Sequence, residues 1–395
     1  MSFSNSLNKY DKSLVNMIKV LHLRDTNKIC GPGKTILETA CRIDRSRFEL
    51  SVGLFLLSSE TKNNYREEVE SRHIQVIPLV AKSQFSPEII NKTILEIKKN
   101  KIDIVHSHDY KSDILTALIA KKINIPVITT AHGWITNSLK SKIYVWIGKQ
   151  SFRFFDHIIA VSPKIYNEVL RFGVKKEKLS LVYNAIVEEN YREENTDKGY
   201  LRNRFNISAE TKIIGNIGRL SPEKGQIDFI LAAKKIIDTR NDVAFILTGD
   251  GPDRKRIEDL IEELNIQDFI YFTGHEKDVK PIFRDLDIFA LTSHTEGFPN
   301  VVLESLCMNT PVLATDVGGT AEIISDKETG ILVNSGNIEE IQSGIKFLLD
   351  NPEDAKKLTR AGKQKVMDFY EFKNRVNKIE HIYEKLMADK AKEID

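Results

Sequence analysis

Cysteine is scarce in this chain of 395 residues: Cys30, Cys41 and Cys307 stand far apart, and no C-x-x-C pair occurs. That spacing excludes both a disulfide framework and a cysteine-built zinc site. Free thiols suit a reducing compartment, so a cytoplasmic setting is expected. Long apolar runs are missing too. No stretch approaches the roughly 18 apolar residues of a membrane span, and the opening MSFSNSLNKYDKSLVN lacks the apolar centre of a secretory signal. Neither an integral membrane protein nor one exported by that route is expected. Short-period repeats and low-complexity tracts are also lacking, which excludes a repeat architecture.

Charge of one sign is not in overall excess, since the net value is +2. The halves nevertheless differ. Residues 1–195 hold 30 Lys+Arg against 21 Asp+Glu, and the remainder holds 28 against 35. A basic first half and an acidic second half imply different partners. Within the first half, SLKSKIYVWIGKQSFRFF (138–155) interleaves Lys140, Lys142, Lys149 and Arg153 with Tyr144, Trp146, Phe152, Phe154 and Phe155. Two readings stay open: a core-packed helix with a basic outer face, or a helix that meets an anionic membrane surface. No nucleic-acid-binding module surrounds the stretch, so nucleic acid is not an expected partner.

The ordinary share of hydrophobic residues, 41%, is distributed in short runs. MIKVLHL, FELSVGLFLL, IQVIPLV, IDIVHSH, IPVITTAHG and HIIAVS are rich in strand formers and are separated by helical or loop stretches. That alternation predicts parallel strands with crossover helices. A polar stretch follows, and the pattern restarts with KIIGNIGRL, VAFILTGDG, FIYFTGH, LDIFALTS, TPVLATD and GILVNS. The expected fold is α/β, with two Rossmann-like doubly wound domains. Their bounds are read as 1–190, a linker over 191–203, a second domain over 204–368, and a terminal helix over 369–395 that packs back on the first domain. Ligands are expected at the carboxyl ends of the strands and in the cleft between the domains.

Two stretches carry candidate chemistry. KICGPGKTIL (28–37) reads as a glycine-rich turn between a strand and a helix. A P-loop would need glycine at position 28, which is Lys28, so a nucleoside triphosphatase is not expected. What survives is bare backbone at Gly31 and Gly33 that can approach a ligand. The second stretch is LTSHTEGFPNVVLESLCMNTPVLATDVGGTAEII. A strand ends at Ser293, a loop carries Glu296 and Gly297, Pro299 suits the first helical position, and a helix opens at Asn300. Glu296 and Glu304 are eight residues apart, and each carboxylate can accept hydrogen bonds from a separate set of hydroxyls.

With its Glu296-Gly297-Phe298-Pro299-Asn300 run leading to Glu304, this stretch resembles the retaining glycosyltransferases of family 4, whose fold is called GT-B. NIGRLSPEKGQ, LTGDGPDR, YFTGHEKDV and LATDVGGTAEII match that family in order and spacing, and VITTAHGW matches in the first half. The resemblance implies transfer of a hexose-type sugar from a nucleotide-sugar donor, a UDP- or GDP-sugar, with no further cofactor. A glycan or lipid-linked acceptor is implied, in surface polysaccharide or lipopolysaccharide synthesis, with the enzyme possible at the inner face of the cytoplasmic membrane.

Carried over residue by residue, the resemblance puts Gly218, Arg219 and Lys224 on the donor diphosphate and Glu304 on the ribose. Glu296 falls on the sugar hydroxyls, within the loop Glu296 to Asn300, and the base lies near Gly274 and His275. His132 faces the reacting sugar, and the Gly31–Gly33 turn approaches from the first domain. His132, Glu296, Arg219 and Lys224 form the expected catalytic set. The alternatives are a nucleotide-sugar epimerase or phosphorylase of the same fold, or a non-catalytic binding protein.

No metal site is expected. HSHD (106–109) is set aside on the reading that strand alternation points His106 and His108 to opposite faces. DLD (285–287) is set aside as the lead-in to a buried strand, and Glu322 is read as ordering its turn.

Overall fold

The computed structural model describes residues 17–26, 31–57, 62–81, 87–120, 122–133, 139–191 and 199–394. Lys28, Cys30, Trp134 and most of the 191–203 linker fall outside that range, as do the side chains of Lys140 and Lys142.

Seven parallel strands make the first sheet: β1 (Ile18–Arg24), β2 (Phe48–Leu57), β3 (Gln75–Ala81), β4 (Ile104–Ser107), β5 (Val127–Ala131), β6 (His157–Ala160) and β7 (Leu179–Leu181). Six make the second: β8 (Lys212–Ile217), β9 (Val243–Thr248), β10 (Ile270–Gly274), β11 (Ile288–Leu291), β12 (Val312–Thr315) and β13 (Ile331–Val333). The orders are β3-β2-β1-β4-β5-β6-β7 and β10-β9-β8-β11-β12-β13. Each is doubly wound, with the order reversing beside β1 in one sheet and beside β8 in the other. Strands covered on both faces must be apolar along their whole length. Accordingly β9, VAFILT, is buried at every position.

The described chain sorts into two compact units, one of Met1–Thr129, Phe154–Asp156 and Glu380–Asp395, the other of Thr130–Arg153 and His157–Ile379. In the first, the end of the helix Phe372–Ile394 is held by polar contacts. Glu380 accepts the Asp44 amide at 2.9 Å, Glu384 pairs with Arg47 at 2.8 Å, and the Tyr383 hydroxyl lies 2.7 Å from His106 Nδ1. In the second, the core gathers Phe229, Phe245, Leu247, Ala290 and Leu313 between the sheet and its helices.

Two local expectations are corrected. Gly31 and Gly33 lie in the first turn of a helix, Gly31–Arg42, rather than in the turn before it. A Cβ on Gly33 would sit 2.9 Å from the Tyr65 ring, so aromatic packing accounts for that glycine. Pro299 is the residue before the helix Asn300–Cys307, with extended ψ of 102°, and not its first helical residue. In the helix Leu139–Ser151, Val145 is buried while Trp146 is 60% exposed and Ile147 is also exposed. The Lys149 ammonium is not offered to an outside surface, because Glu168 holds it in an ion pair.

Candidate functional site

The loop after β11 is built by close approaches of bare backbone. Lys224 ends a 3-10 turn, Pro222–Lys224, and is followed by Gly225 at φ 61°. A Cβ on Gly225 would meet the Thr292 carbonyl oxygen at 2.0 Å, so only glycine lets this turn lie against the end of β11. Thr292 Oγ1 donates to the Gly225 carbonyl at 2.8 Å, and the His294 amide donates to the Glu223 carbonyl at 2.8 Å. Thus the Lys224 turn and the Glu296 loop form one bonded assembly.

On that base, Lys224 Nζ and Ser293 Oγ both donate to Glu296 Oε1, each at 2.7 Å. The Glu296 side chain is only 9% exposed. A carboxylate held from one oxygen by two donors keeps the other oxygen for a ligand hydroxyl. From the opposite side Gly318, at φ 61°, brings its backbone so close that a Cβ would lie 1.8 Å from the Glu296 carbonyl oxygen. The Gly319 amide then donates to the Gly297 carbonyl at 2.9 Å.

Phe298 is buried between Tyr183 and Tyr370, at ring separations of 5.1 and 5.3 Å. Its carbonyl accepts from Asn184 Nδ2 at 3.3 Å. Beyond Pro299, the helix opening at Asn300 carries Glu304, which is 8% exposed. The Tyr191 hydroxyl donates to Glu304 Oε1 at 2.9 Å. Burial first, and then the Glu304 charge, raise the Tyr191 phenol far above its ordinary range, so it stays a donor.

The remaining expected positions divide. Gly218 follows β8, with its amide bonded to the Thr248 carbonyl at 2.9 Å. The next residue, Arg219, is exposed, and among the described residues its guanidinium has no recorded ion pair. Gly274 ends β10, where its carbonyl accepts the Gly249 amide at 2.8 Å, and His275 is exposed just beyond. His132 is half-buried after β5. Its carbonyl oxygen would lie 2.1 Å from a Cβ on Gly297, so those two backbones are in contact. Gly31 and Gly33 belong to the first compact unit.

Reasoning from sequence missed Tyr191, Ser293, Gly225 and Gly318. Tyr191 sits in a polar run read as the start of the linker, and an aromatic side chain in such a run is the available signal. DLD has a structural use: Asp285 accepts the Gly199 and Leu201 amides at 2.6 and 2.7 Å, and Asp287 accepts the Ile213 amide at 2.9 Å. Glu322 accepts from the Tyr183 hydroxyl at 3.3 Å. The reading of HSHD is overturned. Residues two apart on a strand share a face, and the His106 and His108 rings stack with centroids 4.2 Å apart.

Two doubly wound parallel sheets in one chain, with a lysine-carboxylate assembly after β11, define the GT-B class of sugar-transferring fold. The Anabaena protein HepE, crystallised with UDP-glucose, shares the fold with a TM-score of 0.82, at 21% identity over 93% of this chain and 100% of that one. The family described as "Glycosyltransferase Family 4" matches residues 30–190. "Glycosyl transferases group 1" matches 197–365. An uncharacterized glycosyltransferase of Methanocaldococcus jannaschii is 30% identical over 77% of this chain and 83% of its own length. The N-acetyl-alpha-D-glucosaminyl L-malate synthase of Bacillus anthracis is 27% identical over 85% and 87%. The chain belongs to the glycosyltransferases of family 4.

Proposed function

We propose that this glycosyltransferase is a retaining hexosyltransferase that takes its sugar from a UDP- or GDP-sugar and passes it to a glycan or lipid-linked acceptor. The observation that carries the reading is the double donation of Lys224 and Ser293 to one oxygen of Glu296. It fixes a carboxylate and a cation side by side at a strand end, as a sugar diphosphate requires. Lys224 and Arg219 take the diphosphate, Glu296 the sugar hydroxyls, and Glu304 the ribose. His132 faces the reacting sugar and Gly274 and His275 border the base.

Departure of a nucleoside diphosphate places negative charge on the leaving phosphate. Fixed cations and helix amides aimed at that charge stabilise it most where water is excluded. With Lys224 and Arg219 supplying the positive charge, the chemistry calls for no divalent ion. As the bond to phosphate breaks, the acceptor oxygen bonds to the anomeric carbon on the same face, which preserves configuration, and the leaving phosphate takes the acceptor's proton. Of the two donors, UDP-glucose in HepE favours the UDP-sugar.

The acceptor reading draws on the exposed Trp146 and Ile147, which suit a membrane-surface substrate and a cytoplasmic-face location. Among the described residues no helix is long and apolar enough to cross a membrane. The test is donor turnover by the purified protein with and without candidate acceptors. Acceptor-dependent release of UDP or GDP, with an α-linked product from an α-linked donor, is expected. Consumption of the donor without any acceptor would overturn transfer.

A further inference from the structure

In the first compact unit three histidines meet. His22 and His106 are register partners on β1 and β4, so their side chains leave the same face of the sheet. His108 lies one step past the end of β4, two residues from His106, and shares that face. Its Nε2 is 2.7 Å from His22 Nδ1. The His22 ring centroid stands 4.9 Å from that of His106 and 5.0 Å from that of His108. One nitrogen from each histidine lies within 4.8 Å of the others. Tyr383, from the terminal helix, completes the group: its hydroxyl is 2.7 Å from His106 Nδ1 and 3.3 Å from His22 Nε2. None of the three histidines is more than 6% exposed.

Bonds between the rings and to Tyr383 hold the cluster, and a metal ion would compete with them. Each imidazole removed from water must find a partner for its polar atoms, and three rings in contact repel one another if more than one is charged. A metal ion meets both demands at once, since it binds the neutral ring and accepts several nitrogens together. We propose that His22, His106 and His108 form a binding site for a divalent transition-metal ion.

The donor chemistry narrows the ion. Three imidazole nitrogens and no carboxylate suit Zn²⁺, Co²⁺, Ni²⁺ or Cu²⁺, whereas Mg²⁺ and Ca²⁺ seek oxygen. Zinc–nitrogen bonds of about 2.0–2.1 Å place the nitrogens of a tetrahedral site roughly 3.3 Å apart. The separations here, from 2.7 Å to within 4.8 Å, bracket that value. The ion would tie β1 to β4, and the Tyr383 hydroxyl, 2.7 Å from His106 Nδ1, would orient that ring from the terminal helix.

The test uses the full chain, stripped with a chelator, dialysed and titrated with Co²⁺ as the visible probe. Expected are d–d absorption bands that saturate at one ion per chain, their displacement by Zn²⁺, and a rise in Tm with either ion but not with Mg²⁺. His108→Asn, beyond the strand and therefore the mildest change, should lose the bands. If that variant fails to fold, X-ray absorption on the Co²⁺-loaded wild type decides, with imidazole scattering from three rings expected. Absence of bands and of any Tm shift in the wild type overturns the proposal. So do bands that survive unchanged in a folded His108→Asn chain, or a spectrum with fewer than two imidazoles.

Discussion

Lys224 and Glu296 are 72 residues apart in sequence, yet Nζ of one lies 2.7 Å from Oε1 of the other. Neither side chain produces that contact alone. Gly225 lets the lysine turn lie on the end of β11, Gly318 braces the glutamate loop from the far side, and Ser293 shares the carboxylate oxygen. A cation and an acid are thereby held at fixed positions before any ligand arrives, which is the condition for electrostatic stabilisation without reorganisation.

Lys224→Ala removes a cation assigned to the leaving phosphate. Transfer should fall by about 10²- to 10³-fold, equivalent to roughly 3 kcal/mol in the transition state. Glu296 keeps its bond from Ser293, so the variant should stay folded, with unfolding stability lower by about 1.5–3 kcal/mol. Steady-state kinetics alongside urea unfolding separate the two. A comparable loss of activity with an unfolded variant, or full activity, would count against the assignment.

Gly318→Ala asks for a side chain at φ 61° and 1.8 Å from the Glu296 carbonyl oxygen. Backbone cannot yield as a flexible side chain does. A cost of at least about 2 kcal/mol in stability is expected, with weakened donor binding because the Glu296 loop must shift. Gly336→Ala is the control: its φ is likewise positive, but no atom lies within 4 Å of the added Cβ. It should retain donor affinity.

Asp113 is buried in the first compact unit. Burial pushes its carboxyl up to about 7, although Ser107 and Thr129 both donate to it and oppose the rise. A raised folded value means the folded chain binds the proton more tightly than the unfolded chain. The stability contributed is full below the unfolded value of 3.8 and is lost as pH climbs toward 7. The loss amounts to up to about 4 kcal/mol. Both hydroxyls donate to Oδ1, so Asp113→Asn preserves both bonds. Denaturant midpoints from pH 4 to 8 should decline for the wild type and decline less for Asp113→Asn. Parallel curves would show that the ionisation lies elsewhere.

Tyr191→Phe withdraws the hydroxyl from Glu304. A bond to a charged acceptor is worth about 1.5–3 kcal/mol, so the variant should melt at lower temperature. If Glu304 is the ribose acceptor, UDP or GDP then meets a carboxylate that no longer serves a second donor, and calorimetry should record tighter nucleotide binding. Unchanged affinity would argue that the ribose is held elsewhere.

Much of this architecture could be read from the chain before any coordinates. Runs such as VAFIL are apolar throughout because their strands are covered on both faces, and that pattern survives in one dimension. So does the spacing of Glu296 and Glu304 across a loop and a helix start. What escaped depends on long-range approach. Nothing local in DVGGT says that Gly318 will touch Glu296, and nothing in VEENY says that Tyr191 will reach Glu304. The histidines failed for another reason. The period of a strand was applied with the wrong phase to His106 and His108, and His22 entered only once β1 paired with β4 in register. Aromatic-basic patterning over 138–155 was half legible: Trp146 is exposed, while Lys149 is consumed by Glu168.

Backbone amide exchange with and without UDP or GDP tests the central claim most directly, since it maps the nucleotide without assuming an acceptor. Protection concentrated in 216–226 and 292–304, and lost in Lys224→Ala, is the predicted result. Clear nucleotide binding that slows exchange elsewhere and leaves those two segments unchanged would contradict it.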